Sequence, residues 1–365
     1  MFVETFKNII YYLENNLSTF EEQSFNEVDA LIFTWLSYYH ISDSIYKKES
    51  FDELAIKDFY NAKYFDSMTF DVFDIPNSKK LLSRVAASPR FRDLTVFYYS
   101  ENTDKKIEKQ FSAMTFKMGN NEYFVAYRGT DHSFVGWKED FNMSFLKHIP
   151  AQIDAKDYLT KVMSEKKGEY ILGGHSKGGN LAMYAASFVD SEYKKRIKCI
   201  YNFDGSSLNS KLISDDGYGE IKNLIKKYVP QSSMVGMCFE NTSDYKIINS
   251  NSVGVLQHNP FTWEVSGNNL KILNDSSFDS KAFKSGINAL VSTLSESEIK
   301  QFIDSIYNVL ETTKVDTAEE FIKDLPKNLA IVLGSIGSLN DEQKNLLFKV
   351  AKIYISESFN GLIKM

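Results

Sequence analysis

The sequence predicts an α/β protein with a mostly parallel sheet, helices on both faces of that sheet, and helical additions at both ends of the chain. Strand-like and helix-like runs alternate between residues 169 and 235, which is the pattern of a parallel sheet covered by helices. Apolar residues at helical spacing dominate the first 65 or so residues and return after Asp279. We therefore expect an N-terminal helical segment packed on the core (1–88), an α/β core (89–278) and a C-terminal helical extension (279–365).

The individual elements follow from local patterns. Asn26 can cap a helix whose apolar positions, from Val28 to Tyr39, repeat at helical spacing. Alternating aromatic runs predict the first strands of the core. In order, we expect strands at 94–99, 111–118 and 123–127, a helix near 151–166, a strand at 169–173, a helix at 178–189, a strand at 197–203, a helix at 218–227, an extended piece at 228–235, and strands at 245–248 and 253–257.

Capping boxes mark the helices near the C-terminus. Ser295 with Glu298 precedes one apolar stripe, Thr317 with Glu320 precedes Phe321, and Asn340 with Gln343 precedes another stripe. Such stripes are usually packing faces. In this chain they could also form a lid or a surface for a protein partner.

The composition narrows the class of protein. The chain has 365 residues, of which 43% are hydrophobic and 25% are charged, as in ordinary globular proteins. A net charge of −6 argues against nucleic acid as a partner. No run approaches the ~20 apolar residues of a membrane span, and the first residues lack the pattern of a signal peptide. We therefore expect a cytoplasmic protein without a transmembrane segment.

The most specific pattern in the chain lies at residues 171–182. The run Gly174-His175-Ser176-Lys177-Gly178 matches G-x-S-x-G, with an apolar run before it and a helix-forming run after it. A strand, a sharp turn with serine at its tip and a helix form the nucleophile elbow of α/β-hydrolases. Glycine on each side of the serine removes the Cβ atoms that would collide in such a turn. Ser176 is therefore the candidate nucleophile.

A serine nucleophile needs a base, usually histidine, and an acid that orients the base. In α/β-hydrolases the order along the chain is serine, acid, histidine. Histidines occur at positions 40, 132, 148, 175 and 258, and only His258 follows Ser176. His175 is part of the elbow, so its side chain should point elsewhere. His258 is thus the candidate base, at a predicted strand end that runs into a loop stiffened by Pro260.

The acid is less restricted than the base, because eight carboxylates lie between Ser176 and His258. Asp204 stands out because it closes the strand predicted at 197–203. The carboxyl ends of parallel strands are where open α/β sheets place their sites. Asp244, just before the strand predicted at 245–248, is the alternative acid.

An oxyanion hole needs two N–H donors aimed at the developing charge. One donor is normally the residue after the nucleophile, here Lys177. The other should come from a loop after an earlier strand. The strand predicted at 123–127 ends in a turn that contains Gly129, so Thr130 is the candidate for the second N–H.

The same turn gives a resemblance to a known family. Residues 126–131 (Ala-Tyr-Arg-Gly-Thr-Asp), followed by Trp137 and Asp140, resemble the signature of class-three lipases, an Arg-Gly-Thr/Ser turn and then Trp-x-x-Asp. Residues 25–31, and 229–236 leading to 257–260, resemble a bacterial family of lipase-like hydrolases called Mbeg-like. The resemblance covers roughly residues 25–265. It implies an α/β-hydrolase fold, carboxylic-ester chemistry and donation from Thr130 to the oxyanion.

The chain departs from the class-three pattern at one point. In that family the acid precedes a Val-Pro-like pair after the next strand, and the matching stretch here, 232–235 (Ser-Ser-Met-Val), has no carboxylate. Either the acid has moved, with Asp204 as the first candidate, or the triad is incomplete. We expect Arg128 to be structural and to pair with a carboxylate such as Asp140.

Together these residues predict a serine hydrolase of carboxylic esters, similar to a lipase or esterase, with Ser176, His258 and Asp204 as catalytic residues. The expected substrate is a small-molecule or lipid ester. No cofactor or metal is expected, since no Cys/His cluster has the spacing of metal ligands. The alternative is a catalytically weak scaffold of the same fold that binds a protein partner, or a second copy, through its C-terminal helices.

Overall fold

The N-terminal part of the chain is largely helical, as its apolar spacing predicts. The computed structural model describes residues 6–41, 54–70, 72–119, 121–131, 134–143, 146–214, 216–239, 244–275, 278–315 and 324–363. Asn26 caps the second helix and forms a capping box with Asp29. The first elements are α1 (Ile9–Asn15), α2 (Glu27–Leu36), β1 (Leu54–Ala55), α3 (Ile56–Phe59), α4 (Phe65–Met68) and α5 (Ile75–Ala87).

The central part alternates strands and helices. Its elements are β2 (Thr95–Asp104), β3 (Lys109–Gly119), β4 (Glu122–Tyr127), α6 (Phe134–Asn142), α7 (Pro150–Glu165), β5 (Glu169–His175), α8 (Lys177–Phe188), α9 (Ser191–Lys194), β6 (Ile197–Phe203), α10 (Ser210–Ile213), α11 (Asp216–Ile221), β7 (Ile225–Pro230), β8 (Tyr245–Ile248), β9 (Val265–Ser266), β10 (Asn269–Leu270) and β11 (Ile272–Leu273).

Within the described residues, nine strands form one sheet in the order β1-β2-β3-β4-β5-β6-β7-β8-β11, and β9 and β10 form a separate hairpin. Neighbours from β4 to β8 are parallel. The pairs from β1 to β4 are antiparallel, and β11 is antiparallel to β8. The predicted α/β fold class is confirmed, with antiparallel strands at both margins of the parallel centre. The carboxyl ends of β4 to β8 meet at one edge, where open α/β sheets place their sites.

Both faces of the sheet are buried, because side chains alternate along each strand. In β4, Phe124 and Ala126 pack on the side of the N-terminal helices, whereas Tyr123, Val125 and Tyr127 pack on the side of α7 and α8. This double burial explains the nearly continuous apolar run of the strand.

A buried ion pair fixes the N-terminal helices. The side chains of Asp29 and Arg90 are fully buried, with Arg90 Nη2 2.6 Å from Asp29 Oδ2. Arg90 also donates to four backbone carbonyls between residues 18 and 24. Burial raises the pKa of Asp29, and Arg90 opposes that rise. Breaking such a pair leaves an uncompensated buried charge, which costs about 3–5 kcal/mol. The motif at 25–31 therefore has a structural role.

Two predicted elements differ from the structure. The helix predicted at 218–227 ends at Ile221, because the chain from Ile225 pairs with β6 as strand β7. The strand predicted at 253–257 is a 3₁₀ turn, Gly254–His258. The edge of β8 that it would need is already occupied by β11. His258 therefore ends a 3₁₀ turn and not a strand.

The C-terminal part is helical, and the capping boxes predicted at Ser295 and at Asn340 form. The one predicted at Thr317 lies outside the described residues. Residues of α12, α13 and α15 share a small apolar core of their own. No helix in the described ranges combines the length and the apolar character needed to cross a bilayer. In the part of the chain that the structure describes, its helices are α12 (Phe278–Thr293), α13 (Glu296–Glu311), α14 (Leu325–Ser338) and α15 (Asp341–Ile363).

Candidate active site

Ser176 occupies the sharp turn between β5 and α8. Its φ of 58° and ψ of −133° lie outside the regions that L-residues prefer, so the backbone is strained at this residue. A Cβ on Gly174 would collide with the backbone of Gly178, and a Cβ on Gly178 would collide with the carbonyl of Tyr127. The two glycines are therefore required for the turn, and the geometry is that of a nucleophile elbow.

Asp204 follows β6, the strand next to β5. The Ser176 N–H donates to the carbonyl of Phe203 at 3.0 Å, so the candidate nucleophile and the carboxylate belong to neighbouring chain segments. Asp204 is 1% exposed and has a φ of 51°, a left-handed conformation that Asp tolerates better than most residues. Its Oδ2 accepts a hydrogen bond from His258 Nδ1 at 2.6 Å. The structure thus brings together two of the three predicted catalytic side chains.

The loop after β7 supports this carboxylate. Asp204 Oδ1 accepts from the Ser233 hydroxyl and from the Gly236 N–H, the latter at 3.2 Å. Ser233 belongs to the stretch in which class-three lipases carry their acid. The sequence showed that this stretch lacks a carboxylate, but it did not predict the contact between Ser233 and Asp204. The signal for that contact is a serine at the place where class-three lipases carry their acid.

His258 is held from a second side by His175. His175 Nε2 donates to the carbonyl of His258 at 2.8 Å, and the two ring centroids are 4.4 Å apart. The hydroxyl of Tyr38, in the turn after α2, donates to His175 Nδ1 at 2.8 Å, which assigns the proton of the neutral ring to Nε2. Burial lowers the pKa of His175 well below its usual value, so this ring stays neutral. Sequence reasoning missed this positioning chain because His175 and Tyr38 lie 137 residues apart.

The side chain of His258 forms a hydrogen bond with Asp204. Within the described residues, no hydrogen bond joins the His258 imidazole to Ser176 Oγ. His258 comes close to the elbow through its contacts with His175, the residue before the serine. Catalytic hydrogen bonds in free enzymes are often long and tighten only when substrate binds.

The turn after β4 packs against the elbow. A Cβ on Gly129 would collide with the Tyr38 hydroxyl and the carbonyl of His175. The Thr130 hydroxyl donates to both oxygens of Asp140, at 2.7 and 2.6 Å. The Thr130 N–H and the Lys177 N–H, the latter at the start of α8, have no acceptor among the described residues and remain available to a ligand.

The side chain of Lys177 is buried and is bonded to groups of the protein. Its Nζ lies 2.8 Å from Glu139 Oε2 and donates to the carbonyl of Gln110 at 3.0 Å. Both charged side chains are 1% exposed. Lys177 can therefore offer only its backbone N–H to a developing oxyanion.

Asp140 lies close to this pair. Burial raises the pKa of its carboxyl to about 6, against the opposing attraction of Lys177 and the hydrogen bond from Thr130. The expected partnership of Arg128 with Asp140 is wrong. Arg128 Nη1 lies 2.6 Å from Glu101 Oε1, and Asp140 binds Thr130 in its place.

The remaining sequence candidates lie elsewhere. His40 Nδ1 is 3.0 Å from Glu101, and His148 Nδ1 is 2.8 Å from the Tyr184 hydroxyl. His132 lies outside the described residues. Asp244, the alternative acid, is exposed just before β8.

A strained serine between a parallel strand and a helix, with helices on both faces of the sheet, places the chain among proteins of the α/β-hydrolase fold. More particularly, the chain belongs to the Mbeg1-like family, whose family model matches residues 85–308. The resemblance derived from the sequence motifs is therefore confirmed. No curated protein gives a significant match to the chain.

Several solved lipase structures are similar in fold. M37 lipase is 18% identical over 57% of this chain and 68% of its own, with a TM-score of 0.38. A Rhizomucor miehei lipase in complex with its propeptide is 13% identical over 61% of this chain and 68% of its own, with a TM-score of 0.36. The lipase of Rhizopus microsporus var. chinensis is 15% identical over 61% of this chain and 80% of its own, with a TM-score of 0.36. At these scores the likeness says nothing about the site.

Proposed function

We propose that this protein is a serine hydrolase of carboxylic esters, similar to a lipase or esterase. The observation that carries the proposal is the 2.6 Å hydrogen bond between Asp204 and His258 beside a strained serine elbow. A buried carboxylate that orients an imidazole next to a serine in a strained elbow is the arrangement that activates serine for acyl transfer.

In the proposed reaction, Ser176 Oγ attacks the ester carbonyl while His258 Nε2 takes the hydroxyl proton. Asp204 holds the imidazole with its Nδ1 protonated and stabilises the positive charge that forms. The N–H groups of Thr130 and Lys177 donate to the oxyanion. The alcohol leaves with the proton from His258, and water, activated by the same imidazole, hydrolyses the acyl-enzyme. Each of these steps uses side chains and backbone groups of this chain.

Turnover of p-nitrophenyl butyrate, together with labelling by a fluorophosphonate, tests the proposal. We expect the wild-type protein to hydrolyse the ester and to carry one label, and Ser176→Ala to lose both. Ser187→Ala is the matched control, because the Ser187 hydroxyl lies in α8 and bonds only the carbonyl of Met183 within that helix. This control should keep activity and label.

The competing hypothesis, a scaffold with little turnover, predicts the opposite result. A folded wild-type protein that neither reacts with the fluorophosphonate nor hydrolyses any short ester would support the scaffold and contradict the proposal.

A further inference from the structure

An apolar cavity of about 360 Å³ lies between the candidate site and the C-terminal helices. Its volume falls in the range of about 300–1,000 Å³ that is usual for small-molecule sites. Its polar lining residues are Asp140, Lys177 and Ser206. Lys177 follows the candidate nucleophile in the chain, and Asp140 accepts from Thr130. The polar wall of the cavity therefore adjoins the two N–H groups proposed to bind the oxyanion, those of Thr130 and Lys177.

The rest of the wall is apolar and comes largely from the helical extension. Ile287 and Leu290 of α12 and Ile303 of α13 face Met143 and Phe239 of the core. A cavity lined in this way offers water few hydrogen-bonding partners, so an apolar group is its natural occupant.

Several contacts fix the extension to the core, and two of them lie near the candidate site. At the start of α12, the Ser280 hydroxyl donates to the carbonyl of Ser233, the residue that supports Asp204, at 2.7 Å. Farther along, Asp304 of α13 lies 3.0 Å from Lys138 of α6, the helix that also carries Asp140. The wall is therefore a built part of the fold and is connected to both sides of the candidate site.

The position of the cavity indicates which half of an ester it would hold. In the proposed reaction the leaving alcohol must lie on the side of His258, which protonates it, and the acyl chain on the other side. The polar residues that line the cavity include Lys177 and Asp140, from the side of the oxyanion donors; Met234 and Val235 of the loop after β7 also line it, but His258 does not. The cavity thus lies on the acyl side.

We propose that this cavity binds the hydrocarbon chain of an acyl group, and that α12 and α13 are the specificity-determining wall for chain length. The inference rests on the proposed function and names its substrate class, the esters of aliphatic carboxylic acids. The family match covers residues 85–308 and so includes α12 and most of α13. Helices α14 and α15 lie beyond that match. Each methylene that enters the cavity strengthens binding about fourfold, by its burial away from water.

Hydrolysis of p-nitrophenyl esters from acetate to dodecanoate tests the inference. For the wild type, we expect kcat/KM to rise about fourfold per methylene until the cavity is full. Ile287→Trp fills the cavity and should lower the ratio of kcat/KM for decanoate to kcat/KM for acetate about 10-fold or more. Leu290→Ala enlarges the cavity and should shift the optimum to longer chains, which keeps the test valid if the tryptophan variant does not fold.

Leu333→Trp is the matched control, because Leu333 of α14 is 69% exposed and lies outside the cavity. This variant should keep the wild-type profile with every ester. A profile that is flat with chain length in the wild type, or that falls equally for all esters in Ile287→Trp, would overturn the inference while leaving the proposed function intact.

Binding of decanoate and butyrate to Ser176→Ala, measured by calorimetry, separates the two claims. Tighter binding of decanoate that Ile287→Trp abolishes supports the cavity as a site for aliphatic chains, even if the wild type turns out to hydrolyse no ester. Equal binding of the two acids, or no binding of either, contradicts the inference whatever the turnover shows.

Discussion

The hydroxyl of Ser233 donates to Asp204, the same carboxylate that accepts from His258 Nδ1. Ser233 lies in the stretch where class-three lipases carry their acid, and here the carboxylate reaches that place from the end of the preceding parallel strand, β6. Its left-handed backbone, with a φ of 51°, turns the side chain toward the loop. Asp204 thus contacts the imidazole although it comes from a different strand.

Ser233→Ala should lower kcat by about 10- to 100-fold with little change in KM, because a hydrogen bond to a charged group contributes about 1.5–3 kcal/mol. Steady-state kinetics with p-nitrophenyl butyrate measure this effect. Ser232→Ala is the control, since this neighbouring side chain is also buried, and among the described residues Ser232 is bonded through its backbone N–H, to Gln257. Equal losses in both variants would show a general effect of the loop and not support of Asp204.

Asp204→Asn should lower kcat by about 10⁴-fold, because an amide in place of the acid favours the wrong tautomer of the histidine. Asp244→Asn should leave turnover of the same short ester within about twofold, since Asp244 is exposed before β8. If the effects of the two substitutions are reversed, the acid is Asp244 and the assignment of Asp204 is wrong.

Tyr38→Phe removes the donor to His175 Nδ1. The protein should therefore become less stable, and His258 should be held less firmly in position. We expect the free energy of unfolding to fall by about 1–3 kcal/mol, because a buried nitrogen is left without a partner, and kcat to fall with it. Tyr39→Phe is a matched control, because the Tyr39 hydroxyl is equally buried and donates to the carbonyl of Ser78, away from the site. Urea unfolding and kinetics together should show similar stability losses and a kinetic defect only in Tyr38→Phe.

Asp140→Asn should make the protein more stable at neutral pH. The pKa of Asp140 is raised by burial from 3.8 to about 6, so the folded protein holds this proton more tightly than the unfolded chain does. As the pH rises from about 4 to above 6, this group therefore lowers the free energy of unfolding, by up to about 3 kcal/mol. At pH 8 the thermal unfolding midpoint of Asp140→Asn should be higher than that of the wild type. At pH 4 the two midpoints should be almost the same.

Glu139, the carboxylate next to Asp140 in the chain, should change the stability in the opposite direction when it is substituted. Glu139→Gln breaks the buried pair with Lys177 and should cost about 3–5 kcal/mol at pH 8. An Asp140→Asn variant that is less stable than the wild type at pH 8 would mean that the contact with Thr130 outweighs the burial of the charge.

The fold and the centre of the site could be predicted because their signals are local. The glycines at 174 and 178 are required by collisions within one turn, and the alternation of strands and helices reports the parallel sheet directly. The single histidine after Ser176 and the carboxylate at the end of β6 then pointed to side chains that the structure places 2.6 Å apart.

The features that could not be predicted depend on distant partners. The 3₁₀ turn before His258 looked like a strand because the pairing of β8 with β11 cannot be read from residues 253–257. Arg128 pairs with Glu101 on β2 and not with Asp140, because the register of the antiparallel strands places Glu101 beside it. The support of His258 by His175 and Tyr38 joins segments of the chain that no spacing pattern connects.

The rate and position of fluorophosphonate labelling in wild type and in His258→Gln test the central claim, that His258 activates Ser176, most directly. We predict one adduct, found on the Ser176 peptide by mass spectrometry, and a labelling rate that falls at least about 1,000-fold in His258→Gln. An adduct on another residue of the folded protein, or a rate that His258→Gln leaves unchanged, would contradict the account.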